Sequence, residues 1–293
     1  MTERTAMDDT NEERAPVRPA GRAPGPDKPV CATCGTAFPK GAALPSVCAT
    51  CADERQYVPA GGQAWTSSAA LCAEHRISRC EVEPDLHELV VEPRFGIDQR
   101  ALLVRTDAGN LLWDCLPMLD EETARWIDGQ GGLSAIAISH PHFYGDFASW
   151  SAAFGDVPVY IHADDAAHVQ HPCPALSPWT GETLDLLDGL RMIRCGGHFE
   201  GACALHWDRG AGVLLSSDTI AVSADRRTVS FMRSFPNRIP LDASAIRRIL
   251  AAIAPYPFER IHGSTTGLSI GSNASAAVRH SAERYLRAIG ATP

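Results

Sequence analysis

The sequence predicts a layered α/β domain, with sheets inside and helices outside, preceded by a small loop-rich unit held by a metal ion. Three observations predict it. Short apolar strand-like runs dominate the first two thirds of the chain, with helix-like periodicity between and after them. Two matched Cys-x2-Cys pairs stand near the start. The hydrophobic fraction of 45 % over 293 residues is enough for a sizeable core.

The opening stretch, residues 1–30, is polar and rich in Pro, Gly and Arg, without apolar periodicity, and reads as a disordered tail. It lacks the apolar stretch of a secretory signal. No run reaches the roughly 18 apolar residues of a membrane helix. The expected location is the cytoplasm, with no membrane partner. The net charge of −9, with Lys confined to Lys28 and Lys40, argues against a large nucleic-acid surface.

The next unit, residues 31–66, is a ribbon and its linker. Cys31-x2-Cys34 and Cys48-x2-Cys51 are 13 residues apart. Each pair aims two thiolates at one ion, and two pairs complete a tetrahedron, the arrangement of structural zinc. The segment is too short to bury a core alone, so the metal supplies much of its folding energy. A closed four-thiolate site leaves no position for substrate, so it carries no chemistry. The other six cysteines, Cys72, Cys80, Cys115, Cys173, Cys195 and Cys203, are scattered and read as small buried thiols.

The main domain takes residues 67–293. Strands are expected at Glu88–Glu92, Ala101–Arg105, Asn110–Asp114, Ala135–Ser139, Val157–Ile161, Arg191–Cys195, Cys203–Trp207 and Val213–Ser217. Helices are expected at Glu121–Asp128, Phe147–Phe154, Ala243–Ala254 and Ala274–Ile289. Several strand ends carry metal-ligand side chains. His140-Pro141-His142 follows AIAIS, and residues two apart in extended backbone project to one side. Gly196-Gly197-His198 follows RMIRC, the glycines allowing a sharp turn. Asp218 closes the run GVLLSSD, and His262 ends PFERI before Gly263. Three imidazoles and a carboxylate converging on one ion suit zinc, and also iron.

This order, HxH, GGH, a strand ending in Asp and a late His before Gly, resembles the metallo-β-lactamase superfamily over roughly residues 75–293. The resemblance implies an αββα sandwich with a metal site at one edge between two sheets. It matches His140, His142 and His198 to the family's three histidines on the first metal, and Asp218 to the carboxylate shared between metals. It matches His262 to the second metal and Asp114, in LLWDC, to a structural Asp near the site. The family's HxHxDH motif is broken, because Tyr144 and Gly145 stand where its Asp and final His fall. One main-site ion is therefore expected rather than two. Tyr144 either fills the vacated space and hydrogen-bonds substrate or water, or is a packed aromatic. Asp146 precedes FASWSAAF and is either the helix N-cap or a displaced ligand. The front resembles superfamily members whose Cys-pair ribbon runs into a DERQYV stretch, here Asp53–Val58, which packs the ribbon on the main domain.

The expected activity is hydrolysis of a small ester, thioester or amide by metal-bound hydroxide, with Asp218 orienting or deprotonating the water. Two alternatives stand beside it. One is a mononuclear iron oxidoreductase acting on sulfur compounds through His140, His198 and Asp218. The other is a degenerate, non-catalytic binding protein with the ribbon as contact surface. The sequence leaves the oligomeric state open.

Overall fold

A computed structural model describes residues 27–187 and 189–292. Residues 1–26, most of the expected tail, lie outside them. The last residues assigned to that tail are not a tail: β1 (Pro29–Cys31) pairs antiparallel with β2 (Trp65–Ser67) and closes the ribbon. Between them lies the short helix α1 (Ala49–Ala52), and after them α2 (Ser68–Glu74), capped by the Ser67 hydroxyl.

The main domain is a four-layer sandwich. The first sheet has seven strands in chain order. They are β3 (Arg76–Glu83), β4 (Leu86–Glu92), β5 (Arg100–Thr106), β6 (Gly109–Trp113), β7 (Ala135–Ala137), β8 (Val159–His162) and β9 (Leu176–Trp179). The second sheet has six, in the order β10 (Thr183–Asp185), β11 (Leu190–Arg194), β12 (Cys203–Trp207), β13 (Val213–Ser217), β18 and β19. Two hairpins, β14 (Ala221–Val222) with β15 (Val229–Ser230) and β16 (Met232–Ser234) with β17 (Ile239–Pro240), intervene before β18 (Arg260–Gly263) and β19 (Ser269–Ile270).

The period-two alternation of each strand sorts its side chains between cores. Leu102, Val104, Leu111, Trp113, Met192, Leu205, Val213 and Leu215 fill the space between the sheets. Their neighbours turn outward under helices. Leu103 and Leu112 face α3 (Glu121–Gly129) and α4 (Phe147–Ala153), which contribute Ile127 and Trp150. Ile193, Ala204 and Leu214 face α5 (Ala243–Ile253) and α6 (Ala274–Ala288), which contribute Ile249 and Val278. This is the αββα sandwich the resemblance implied. Of the scattered cysteines, Cys115, Cys195 and Cys203 are buried as expected, Cys72 and Cys173 are half-buried, and Cys80 is exposed on β3, contrary to expectation. Among the described residues, no helix is long and apolar enough to cross a membrane.

Candidate metal centre

The site forms where loops leave the strand ends of both sheets. His140 is extended, but β7 has already ended, and Pro141–Phe143 make a 3₁₀ turn. The expectation that both histidines share one side of an extended strand is thus corrected. The turn, not the pleat, brings the His142 ring to 5.1 Å from that of His140. Gly196 and Gly197 both take positive φ (71° and 85°), the double turn that presents His198. A ladder irregularity between Leu215 and Ser217, with Ser217 at φ 47°, re-aims the end of β13 so that Asp218 enters the site.

One ligand atom from each of His140, His142, His198 and Asp218 lies within 4.8 Å of every other. Asp218 Oδ2 is 3.5 Å from His140 Nε2 and 3.9 Å from His198 Nε2. His198 Nε2 is 3.2 Å from His142 Nδ1. A tetrahedron of about 2.0 Å metal–nitrogen bonds has edges of roughly 3.3 Å, so these spacings suit one shared ion. The outer nitrogens fix the tautomers. His198 Nδ1–H donates to the Met232 carbonyl at 3.0 Å, leaving the Nε2 lone pair free. The Ser139 hydroxyl donates to Ser217 Oγ at 2.9 Å and accepts from His140 Nδ1–H at 2.8 Å, which frees His140 Nε2. That Nε2 is buried without a hydrogen-bond partner, a costly state that a metal ion relieves.

Electrostatics agree with a cation site. Burial, with the neighbouring imidazoles adding to it, lowers His198 to about 4 and His142 well below its usual range, so both rings are neutral ligands at pH 7. Burial alone would raise the Asp218 carboxyl, but contact with His140 and the facing His198 outweigh it and hold Asp218 below the usual carboxylate range. The three imidazole side chains are sealed from solvent, whereas the Asp218 side chain is 17 % exposed and marks the open side. Asp114 is the structural residue expected. It is buried at the tip of β6 and accepts the Ser139 N–H at 2.8 Å, and burial pushes its carboxyl up to about 6.

Two expected site residues are placed elsewhere. His262, matched by the resemblance to a second metal, lies outside the four-residue cluster; its Nδ1 lies 2.8 Å from Ser269 Oγ and its Nε2 3.6 Å from Glu83 Oε1. Tyr144 is the packed aromatic: its buried hydroxyl donates to the Asp165 carbonyl at 3.1 Å, and it does not face the ligands as a catalytic group. Asp146 is the N-cap of α4, accepting from Ser149 N, and also pairs with the buried Lys28 Nζ at 2.7 Å.

Two residues that sequence reasoning missed support the ligands. Arg55 is buried. Its Nε donates to the His198 carbonyl at 2.7 Å, its guanidinium lies 4.1 Å from the centre of the Phe199 ring, and Asp53 pairs with it. Gln99 Nε2 donates to both the Cys34 and the His142 carbonyls. The four ribbon sulfurs also converge, Cys31 to Cys51 at 3.6 Å and Cys34 to Cys48 at 3.7 Å. Bonds of about 2.3 Å to a tetrahedral ion predict edges of roughly 3.8 Å, and a disulfide would need about 2.05 Å. Gln63 Nε2 donates to Cys31 Sγ at 3.1 Å.

Known proteins place this architecture. No family profile matches the chain. The uncharacterized protein YmaE of Bacillus subtilis (strain 168) is 40 % identical over 265 residues, spanning 89 % of this chain and 96 % of YmaE. Among solved structures, VMB-1 superposes with a TM-score of 0.55 at 13 % identity, and the DIM-1 metallo-β-lactamase with 0.54 at 14 %. Each match covers 73 % of this chain and 98 % of the other. The chain therefore belongs to the family of YmaE, and it is a metallo-β-lactamase-fold protein with a four-cysteine ribbon in front.

Proposed function

We propose that this protein is a zinc-dependent hydrolase of a small ester, thioester or amide, holding one ion in the main site and a second, structural one in the ribbon. The observation that carries the reading is the convergence of three imidazoles and one ionised carboxylate on a single point, with the carboxylate alone reaching solvent. His140, His142 and His198, with Asp218 beside them, would hold a Zn²⁺ ion, which would supply a bound water of pKa about 7 and a Lewis acid for a carbonyl oxygen. The chain's own residues do the rest. His140 and His198 are held in the tautomer that presents Nε2, by Ser139 and by the Met232 carbonyl. With the three imidazoles as protein ligands and the fourth position left to water, Asp218, ionised at neutral pH and on the open side, would accept a hydrogen bond from that water and orient it.

One ion is favoured over two because Tyr144 and Gly145 offer no ligand and His262 is turned to Ser269 and Glu83. The intact donor set weighs against a degenerate binding protein. The paired free thiols of the ribbon suit a reducing compartment, in keeping with a cytoplasmic setting.

The test is elemental analysis of protein purified without added metal, alongside turnover of a small panel of esters and thioesters. About two zinc ions per chain are expected in the native protein and about one in His142→Ala, since each site needs its full donor set. Turnover should fall at least about a hundredfold in the variant. Iron in place of zinc would favour the oxidoreductase. Unchanged metal content and turnover in His142→Ala would remove the hydrolase reading.

A further inference from the structure

The Asp218 side of the site opens into a cleft of about 480 Å³. That is within the range of small-molecule pockets, roughly 300–1,000 Å³. One wall is not made by the sandwich. Gln56 and Tyr57, a few residues after Cys51 in the linker, line it. The lining also includes Phe143 and Phe235. These two rings continue the ligand shell outward, Phe143 at 5.0 Å from the His140 ring and Phe235 at 5.8 Å from that of His198. Tyr57 is 46 % exposed, one of few large apolar side chains left in solvent among the described residues.

The charge on this lining is of one sign. It carries two carboxylates, Asp98 and Asp218, and among the described residues no Lys, Arg or His. Arg94 approaches Asp98 at 3.3 Å, but its side chain is 84 % exposed and outside the lining, so solvent screens it. A substrate carboxylate or phosphate placed beyond the metal would find Asp98 and aromatic faces but, among the lining residues, no Lys, Arg or His to pair with.

We propose that this cleft selects substrates whose acyl group is uncharged and bears an aromatic or similarly flat apolar group, with Tyr57, carried by the ribbon linker, as the specificity-determining side chain. The proposal rests on the hydrolase reading for its reaction but not for its binding. Ribbon and linker are thus part of the substrate site, and the ring of Tyr57 covers the acyl group while the ligand rings flank the reacting carbonyl.

The test is equilibrium binding of three hydroxamates, which need the ion but no turnover, to the zinc-loaded full-length chain. Benzohydroxamate is expected to bind at least about tenfold more tightly than 4-carboxybenzohydroxamate, the unpaired carboxylate supplying the difference. In Tyr57→Ala, the preference for benzohydroxamate over acetohydroxamate should fall by about tenfold, the size of one lost aromatic contact. Equal affinity for the carboxylate analogue overturns the charge selection. An unchanged benzo-to-aceto preference in Tyr57→Ala overturns the role of the linker, and failure of all three compounds to bind overturns the proposal. The expected binding pattern without turnover of any ester would support the cleft and sink only the hydrolysis.

Discussion

Arg55 sits at the junction of three duties. Its Nε holds the His198 carbonyl, its plane stacks on Phe199, and Asp53 and Glu200 balance its charge. Because His198 also donates from Nδ1 to Met232, its ring is fixed from one side and its backbone from the other. Removing the guanidinium leaves the His198 carbonyl without its buried donor and frees the loop after β11. Supporting contacts of this kind change metal affinity by about 10–100-fold, so Arg55→Ala should weaken main-site zinc by that factor. Competition with a chromophoric chelator reads it. Arg55→Lys should recover little, because an ammonium cannot both stack on the ring and donate along the fixed Nε direction. Equal zinc affinity in all three proteins would show that Arg55 only packs. Arg55 was not legible as a supporting residue in the sequence: an Arg in a charged linker reads as solvated, and nothing local places it beside residues 198–200. The four clustered residues were legible because His140, His198 and Asp218 follow closely on apolar strand runs and His142 stands two positions beyond His140.

At the scale of elements, the strands β12 and β13 were legible to the residue, since both are buried on both faces and read as continuous apolar runs. The edge strand β3, RISRCEVE, was not, because it is half-exposed and its polar residues carry no clean alternation. The helix starts at Glu121, Phe147 and Ala243 were legible, and the structure caps them with Asp120, Asp146 and Asp242, each accepting from the backbone three residues on. What the sequence hid at α4 is the second use of its cap. Asp146 is also the anchor for Lys28, just ahead of β1, with side chains only 3 % and 7 % exposed. Next to it Gly145 accepts the Ala37 N–H, at φ 50° and with no room for a Cβ beside the Leu116 carbonyl. One of the two positions that depart from HxHxDH, Gly145, is therefore a point where the ribbon docks. Breaking a buried pair from one side strands a charge and costs about 3–5 kcal/mol, so Lys28→Ala should lose about that much in denaturant unfolding. Asp146→Asn, which keeps an acceptor for the cap, should lose less than Asp146→Ala. Lys28→Ala at wild-type stability would mean that the pair contributes nothing net.

Across the whole molecule, two bridges join the ribbon to the main centre. Gln99 donates from one amide to Cys34 and His142, and Arg55, four residues after Cys51, holds His198. Neither bridge is visible in sequence, because each spans more than forty positions. On the proposed reading the ribbon's fold would depend on its own metal, since its buried cluster is little more than Cys31, Cys34, Cys48, Cys51 and Phe38. Losing that metal should slacken both bridges and expose the main site to rearrangement. Coupling between two sites in one molecule typically falls at 1–3 kcal/mol, or about 5–150-fold in affinity. Cys48→Ser should therefore lose the ribbon zinc and also weaken main-site zinc by at least about fivefold, although residue 48 touches no main-site ligand. Thermodynamic reciprocity makes the converse measurable: His142→Ala, empty at the main centre, should release ribbon zinc to a chelator more readily by the same factor. Hydrogen exchange at residues 196–201 gives a readout independent of metal, faster in Cys48→Ser than in the native chain. Unaltered main-site affinity and exchange in Cys48→Ser would leave the two centres as neighbours that share a surface but no free energy.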